Sequence, residues 1–133
     1  MTLSAEIKGI QETLTHYFDG LYQADSQVLA KAFHPQGKYT CTIPGNYLNY
    51  DLEEYFAVVD QRTPPAENGD PRNDRVLAIE LEPTEKNGSP SMAFVKAKMT
   101  MMGKDYLDFL TLIKQDGRWQ IIAKVFSYQG LEK

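Results

Sequence analysis

One cysteine, two histidines and one tryptophan are all that this chain of 133 residues carries of the rarer chemistry-bearing residue types. A lone cysteine, Cys41, excludes an intrachain disulfide, and nothing points to an oxidising compartment. His16, His34 and Cys41 show no metal-ligand spacing, and no clustered Asp motif would hold a hard cation, so no metal is expected. No glycine-rich phosphate loop follows a strand, and no Ser or Cys nucleophile has an evident partner, so no cofactor is expected. No apolar run approaches the roughly 20 residues that a membrane-spanning helix needs. Met1-Thr2-Leu3-Ser4-Ala5-Glu6 lacks the basic and apolar regions of a signal peptide, which makes the cytoplasm the expected location. Basic clusters are missing too. The densest stretch is Lys96 and Lys98, and the net charge is −4, which argues against nucleic acid as a partner.

What is present is an ordinary globular balance, with 42% hydrophobic and 24% charged residues, enough for one core and too short for two. Eight Tyr and six Phe supply rings with polar tips for a core or a pocket. The Pro- and Gly-rich stretch Thr63–Pro71 reads as an exposed loop that separates a helical half from a strand-rich half. Before it, Ile7, Ile10, Leu14, Phe18 and Leu21 form one apolar stripe over about Leu3–Tyr22, with Ser4 as a candidate N-cap. A short helix over about Gln27–Phe33 follows a cap at Asp25 or Ser26 and stops at His34-Pro35. Lys38–Ile43 reads as a strand. Asp51 reads as the N-cap of a third helix that buries Leu52, Tyr55, Phe56 and Val59.

After the loop four strands are expected: Arg75–Glu82, Met92–Met102, Asp105–Lys114 and Trp119–Tyr128. Turns at Asn87-Gly88, Gly103-Lys104 and Asp116-Gly117 make neighbours antiparallel. Both faces of the middle strands are partly apolar, whereas a sheet wetted on one side alternates cleanly. Helices covering one face and a second copy of the chain covering the other would explain this, giving a homodimer through the sheet.

Two stretches carry a resemblance. One runs from Tyr17-Phe18-Asp19-Gly20 through Asp25 and Leu29 to Phe33-His34-Pro35. The other comprises Asp105-Tyr106-Leu107, Leu110, Leu112, Asp116-Gly117-Arg118-Trp119-Gln120-Ile121-Ile122, Lys124 and Phe126. Together they resemble the nuclear transport factor two-like superfamily, in its "putative lumazine-binding" branch close to polyketide-cyclase-like members. The resemblance implies an α+β fold over residues 1–133. A cone-shaped, curved antiparallel sheet of the cystatin-like roll would pack on three N-terminal helices, enclose a pocket, and commonly dimerise.

In isomerase-like relatives a helix-one Tyr and a late-strand Asp hold a developing oxyanion, while a first-strand Asp moves the proton. By register these positions fall on Tyr17, Asp108 and near Cys41. Cys41 is a poor proton base, with an ordinary pKa near about 8.5, which weighs against steroid-type isomerisation. The resemblance also implies Tyr39, Cys41, Tyr55 and Val95 as pocket lining. His16 with Asp19 reads as a solvated helix-face pair. His34 reads as a cap for the second helix, Trp119 as core or interface, and Met99, Met101 and Met102 as gap-fillers.

Fold alone does not fix function. The first reading is a protein that binds a small apolar or aromatic molecule in an apolar pocket between sheet and helices. The alternative is a cofactor-independent proton-transfer enzyme, an isomerase, dehydratase or cyclase. A third is an interaction domain that receives a partner on its sheet face.

Overall fold

The computed structural model describes residues 3–82 and 89–131. Its elements run α1 (Leu3–Gln23), α2 (Ser26–Leu29), β1 (Phe33–Cys41), β2 (Leu48–Asp51), α3 (Leu52–Asp60), β3 (Arg75–Leu81), β4 (Met92–Met101), β5 (Lys104–Gln115) and β6 (Arg118–Gly130). Six strands form one sheet in the order β2-β1-β6-β5-β4-β3. All neighbours are antiparallel except β1 and β6, which are parallel. The fold is α+β, as the resemblance implied.

The apolar stripe of α1 lands where its spacing predicts. Ile10, Leu14, Tyr17, Phe18 and Leu21 are all buried. Ser4 is not an N-cap, because the helix already includes Leu3. Gly20 is required by close approach: a Cβ there would stand 2.6 Å from Leu29 Cγ and 2.9 Å from the Leu29 backbone nitrogen. Asp25 caps α2, its Oδ1 accepting from the Gln27 and Val28 amides at 2.9 and 3.4 Å. That helix ends four residues earlier than expected, and Phe33 begins a strand instead. The amide of Ile121 on β6 donates to the Ala32 carbonyl at 2.8 Å, so sheet pairing overrides the local helical pattern. His34 therefore caps nothing. Its Nδ1 accepts from the Gln36 amide at 3.0 Å, and its Nε2 meets Gln115 Oε1 at 2.9 Å.

Asp51 caps α3 with a full capping box, exchanging bonds of 2.9 and 3.2 Å with Glu54. Just before it lies β2, a four-residue strand too short to show a period. The Thr63–Pro71 stretch is anchored rather than simply exposed. Tyr22 donates from its hydroxyl to the Asp70 carbonyl at 2.6 Å, and the Met102 amide donates to Asp70 Oδ2 at 3.0 Å.

Asp116-Gly117 makes the β5–β6 hairpin with both residues at positive φ, 52° and 75°, the geometry that matches strand twist. The β4–β5 turn is Met102-Gly103, one residue earlier than expected. The expected Asn87-Gly88 turn lies outside the described residues. On the helix-facing side, Ala93, Val95, Ala97, Met99 and Met101 of β4 join Asp108, Leu110 and Leu112 of β5 in the interior. Met102 is half-buried against that core. The opposite side leaves Met92, Phe109 and Val125 exposed, with Phe94 packed edge-on against Phe109 at 5.5 Å. No helix among the described residues is long and apolar enough to cross a membrane.

Candidate functional site

The sheet aligns two rows of inward side chains. Cα pairing places Tyr39 beside Lys124, Lys124 beside Leu110, and Leu110 beside Val95. The next row on that face is Cys41, Phe126, Asp108 and Ala97. All eight residues are buried. Tyr17 descends from α1 and Tyr55 from α3, and both are wholly buried. The structure thus brings together every residue the resemblance singled out, Tyr17, Tyr39, Cys41, Tyr55, Val95 and Asp108. Their interior is closed and ring-packed: Tyr39 stacks on Tyr55 with centroids 4.0 Å apart and meets Phe126 at 4.7 Å.

At the centre the Tyr17 hydroxyl donates to Asp108 Oδ2 at 2.5 Å. Asp108 is not an outward side chain but one of the most deeply buried in the chain. Its other oxygen, Oδ1, has no hydrogen-bond partner, and neither does the buried Tyr55 hydroxyl. Buried polar atoms are nearly always satisfied in native structures, which makes these two orphans exceptions among the described residues.

Lys124 is the residue that sequence reasoning missed as a site member. Its ammonium lies 5.0 Å from the Tyr17 and Phe126 ring centroids, 5.3 Å from Tyr39 and 5.5 Å from Tyr55. A bulge puts it there. Thr111 pairs with Ala123 and Leu112 with Ile121, so Ile122 is the extra residue on β6. An extra residue shifts side-chain alternation by one. Counting in twos from the buried Trp119 and Ile121 would turn Lys124 to solvent. The bulge turns it and Phe126 inward.

Burial drives the Lys124 ammonium below its ordinary pKa, against the attraction of Asp108. Burial likewise pushes the Tyr17 hydroxyl far above its ordinary range, helped by the Asp108 charge, and raises Tyr55 strongly. Both phenols stay protonated as hydrogen-bond donors. Tyr39 and Tyr106 are raised by burial too, opposed at Tyr39 first by the Lys124 charge and at Tyr106 by the Arg62 charge. Arg62, Tyr50, Tyr106 and Tyr128, around this interior, are only half-buried.

The other candidates lie elsewhere. Asp19 pairs with Arg72 at 2.8 Å rather than with His16. His16 lines a surface groove of about 300 Å³ with Glu12, Lys31 and Arg118, away from the tyrosine interior. Trp119 is core, its indole Nε1 donating to Glu6 Oε1 at 3.2 Å. Among the described residues no three His, Cys, Asp or Glu side chains gather as a metal-ligand set.

A curved sheet wrapped by helices around buried polar groups defines the nuclear transport factor two-like class. The chain belongs to the family described as "Putative lumazine-binding", whose profile matches residues 5–127. Its fold is similar to an NTF2-like protein of unknown function from Shewanella baltica OS155, with a TM-score of 0.83 at 20% identity over 98% of this chain and 99% of that one. An NTF2-like protein of unknown function from Silicibacter pomeroyi DSS-3 gives 0.81 at 19% identity over 97% and 100%. Among curated proteins the chain is 28% identical to "Aldolase FrzH" of Cladobotryum sp. over 125 residues, 92% of this chain and 91% of that one.

Proposed function

We propose that the chain binds a small carbonyl compound among its interior tyrosines and moves a proton on it, an aldol- or isomerase-type activity without a cofactor. The observation that carries this reading is the Tyr17–Asp108 bond, with Asp108 Oδ1 and the Tyr55 hydroxyl left unpartnered beside it. Tyr55 is free to donate to a carbonyl oxygen. Asp108 Oδ1 is free to accept a proton from the neighbouring carbon. A dry, preorganised donor set stabilises the enolate-like charge that develops. A relative named as an aldolase supports this class of chemistry, which begins by taking a proton from carbon beside a carbonyl. Binding without turnover is the second reading, supported by the resemblance, whose register puts the proton-moving carboxylate of isomerase-like relatives near Cys41.

The test follows α-proton exchange. Small ketones and aldehydes are incubated with the protein in deuterated water and observed by NMR, and the same compounds, with lumazine, are screened for a rise in melting temperature. Exchange that Asp108→Asn abolishes supports the enzyme. A thermal shift without exchange supports binding alone, and neither effect overturns both readings.

We also infer that the outer sheet face pairs with a second copy of the chain. Phe109 lies opposite Val125 in the register, and both are exposed, as is Met92 on the same face.

A further inference from the structure

We propose that Lys124 is the covalent centre of the site, its amine condensing with an aldehyde or ketone to form an iminium. This rests on the reading that the interior receives a carbonyl compound, and adds the nucleophile and the substrate class.

Two lysines with little exposed surface allow a comparison within one molecule. Lys114 is tied to Glu6, donating to both carboxylate oxygens at 2.8 and 3.0 Å. That is how a structural lysine is accommodated away from water. Lys124 is more deeply buried, with 3% of its surface exposed, yet among the described residues it has no such ion pair. It ends among four ring faces within electrostatic reach of Asp108. Ring faces attract a cation but do not tie up a nitrogen lone pair once a proton has left. They attract an iminium as well as an ammonium, so the cage suits both ends of a condensation. The β6 bulge holds this side chain inward, and a desolvated lysine amine is the form that attacks carbonyl carbon.

The chemistry balances without an added reagent. The ammonium gives a proton to Asp108, and the amine nitrogen bonds to the carbonyl carbon. The carbonyl oxygen leaves as water after taking two protons, both from the original ammonium, one of them by way of Asp108. The product is a protonated iminium on Lys124. Asp108 then takes a proton from the adjacent carbon, and that C–H pair becomes the C=C of an enamine. The enamine carbon bonds to the carbon of a second carbonyl, whose oxygen receives the proton from Asp108. Water hydrolyses the resulting iminium and restores the ammonium.

The test uses the full chain with acetaldehyde and acetone as probes and sodium cyanoborohydride as the trap, followed by peptide mass mapping. At neutral pH Lys124 is expected to gain one reduced probe ahead of every exposed lysine, since a desolvated lysine keeps more of its amine unprotonated. Adducts spread over surface lysines, with Lys124 unmodified, overturn the proposal. Lys124→Arg keeps the cation and is expected to lose α-proton exchange by at least about a hundredfold. Exchange that survives in Lys124→Arg without trapping at Lys124 removes the covalent role while leaving the proton-transfer reading intact. If wild-type protein neither exchanges nor traps, both fall. Trapping on the wild-type chain decides the covalent role even if the variant misfolds.

Discussion

Tyr17 and Asp108 stand 91 positions apart in the chain and meet through a 2.5 Å hydrogen bond in the interior. An α1 side chain is thereby fixed to a β5 side chain by a buried charge-assisted bond. Tyr17→Phe keeps the ring and its packing but leaves Asp108 Oδ2 without its donor. Denaturant titration is expected to show a loss of about 1–3 kcal/mol, the cost of stranding a buried acceptor. Exchange at a carbonyl probe is expected to fall by about tenfold or more, because the Asp108 carboxylate that takes the proton loses the hydrogen bond that orients it. Unchanged stability and unchanged exchange together would remove the pair from the site.

Much of this arrangement was legible in the sequence because local rules and tertiary structure agree. The stripe on α1, the Asp51 cap and the Asp116-Gly117 hairpin each follow from spacing or turn chemistry confined to a few residues. The errors occur where distant pairing decides. Phe33 leaves the helix because β6 offers its backbone a partner. The strand β2 exists because β1 lies beside it. Tyr17 and Asp108 could be named as a pair only through resemblance, since no periodicity links residues so far apart. Lys124 was hidden by a single bulged residue, Ile122, which reverses the side-chain alternation of β6. One signal was available: Lys124 and Phe126 share a parity, and an aromatic pointing inward takes its i−2 neighbour with it.

The Glu6 carboxyl gives the acid side of the stability curve. It is buried, bound by the Lys114 ammonium and by the Trp119 indole. The hydrogen bond from Lys114, foremost, holds its pKa below the ordinary value of 4.5, against the cost of burial. A carboxyl lowered by folding contributes stability that is present above its unfolded pKa and lost as pH falls through the folded value. Wild-type protein is therefore expected to weaken as pH drops below about 4.5, and Glu6→Gln to flatten that limb while costing about 1–3 kcal/mol at neutral pH. The sole tryptophan reports the change directly, because Trp119 fluorescence follows its own hydrogen-bond partner. An acid limb identical in both proteins would refute the assignment.

The outer face of the sheet makes a prediction about assembly. Phe109 is 44% exposed and Val125, its register partner, 38%. Burying such side chains contributes about 25 cal/mol for each Å² of apolar surface removed from water. Phe109→Glu would place a charge in that contact. Light scattering is expected to find a dimer in the wild type and a monomer in the variant, with the melting temperature of the variant becoming independent of protein concentration. A wild-type monomer across the accessible concentration range would rule the pairing out.

Lys124 makes the last prediction, and its sign is opposite to that of Glu6. Burial lowers its pKa below the ordinary 10.5. Between the folded and the unfolded pKa the unfolded chain holds more protons than the native one, so stability rises with pH through that window. Below the window the full penalty of a desolvated ammonium is present. The tyrosines act in the other direction: Tyr17, Tyr39 and Tyr55 are raised by burial, so their contribution is lost once the unfolded phenols ionise, above about pH 10. Lys124→Met removes only the lysine contribution and keeps an unbranched apolar side chain among the rings. Urea titrations of both proteins from neutral pH to about pH 10 should show the wild type gaining on the variant as pH rises. A difference that stays flat would mean that the lysine keeps its proton at no cost, and an ammonium so comfortable among those rings would be no nucleophile.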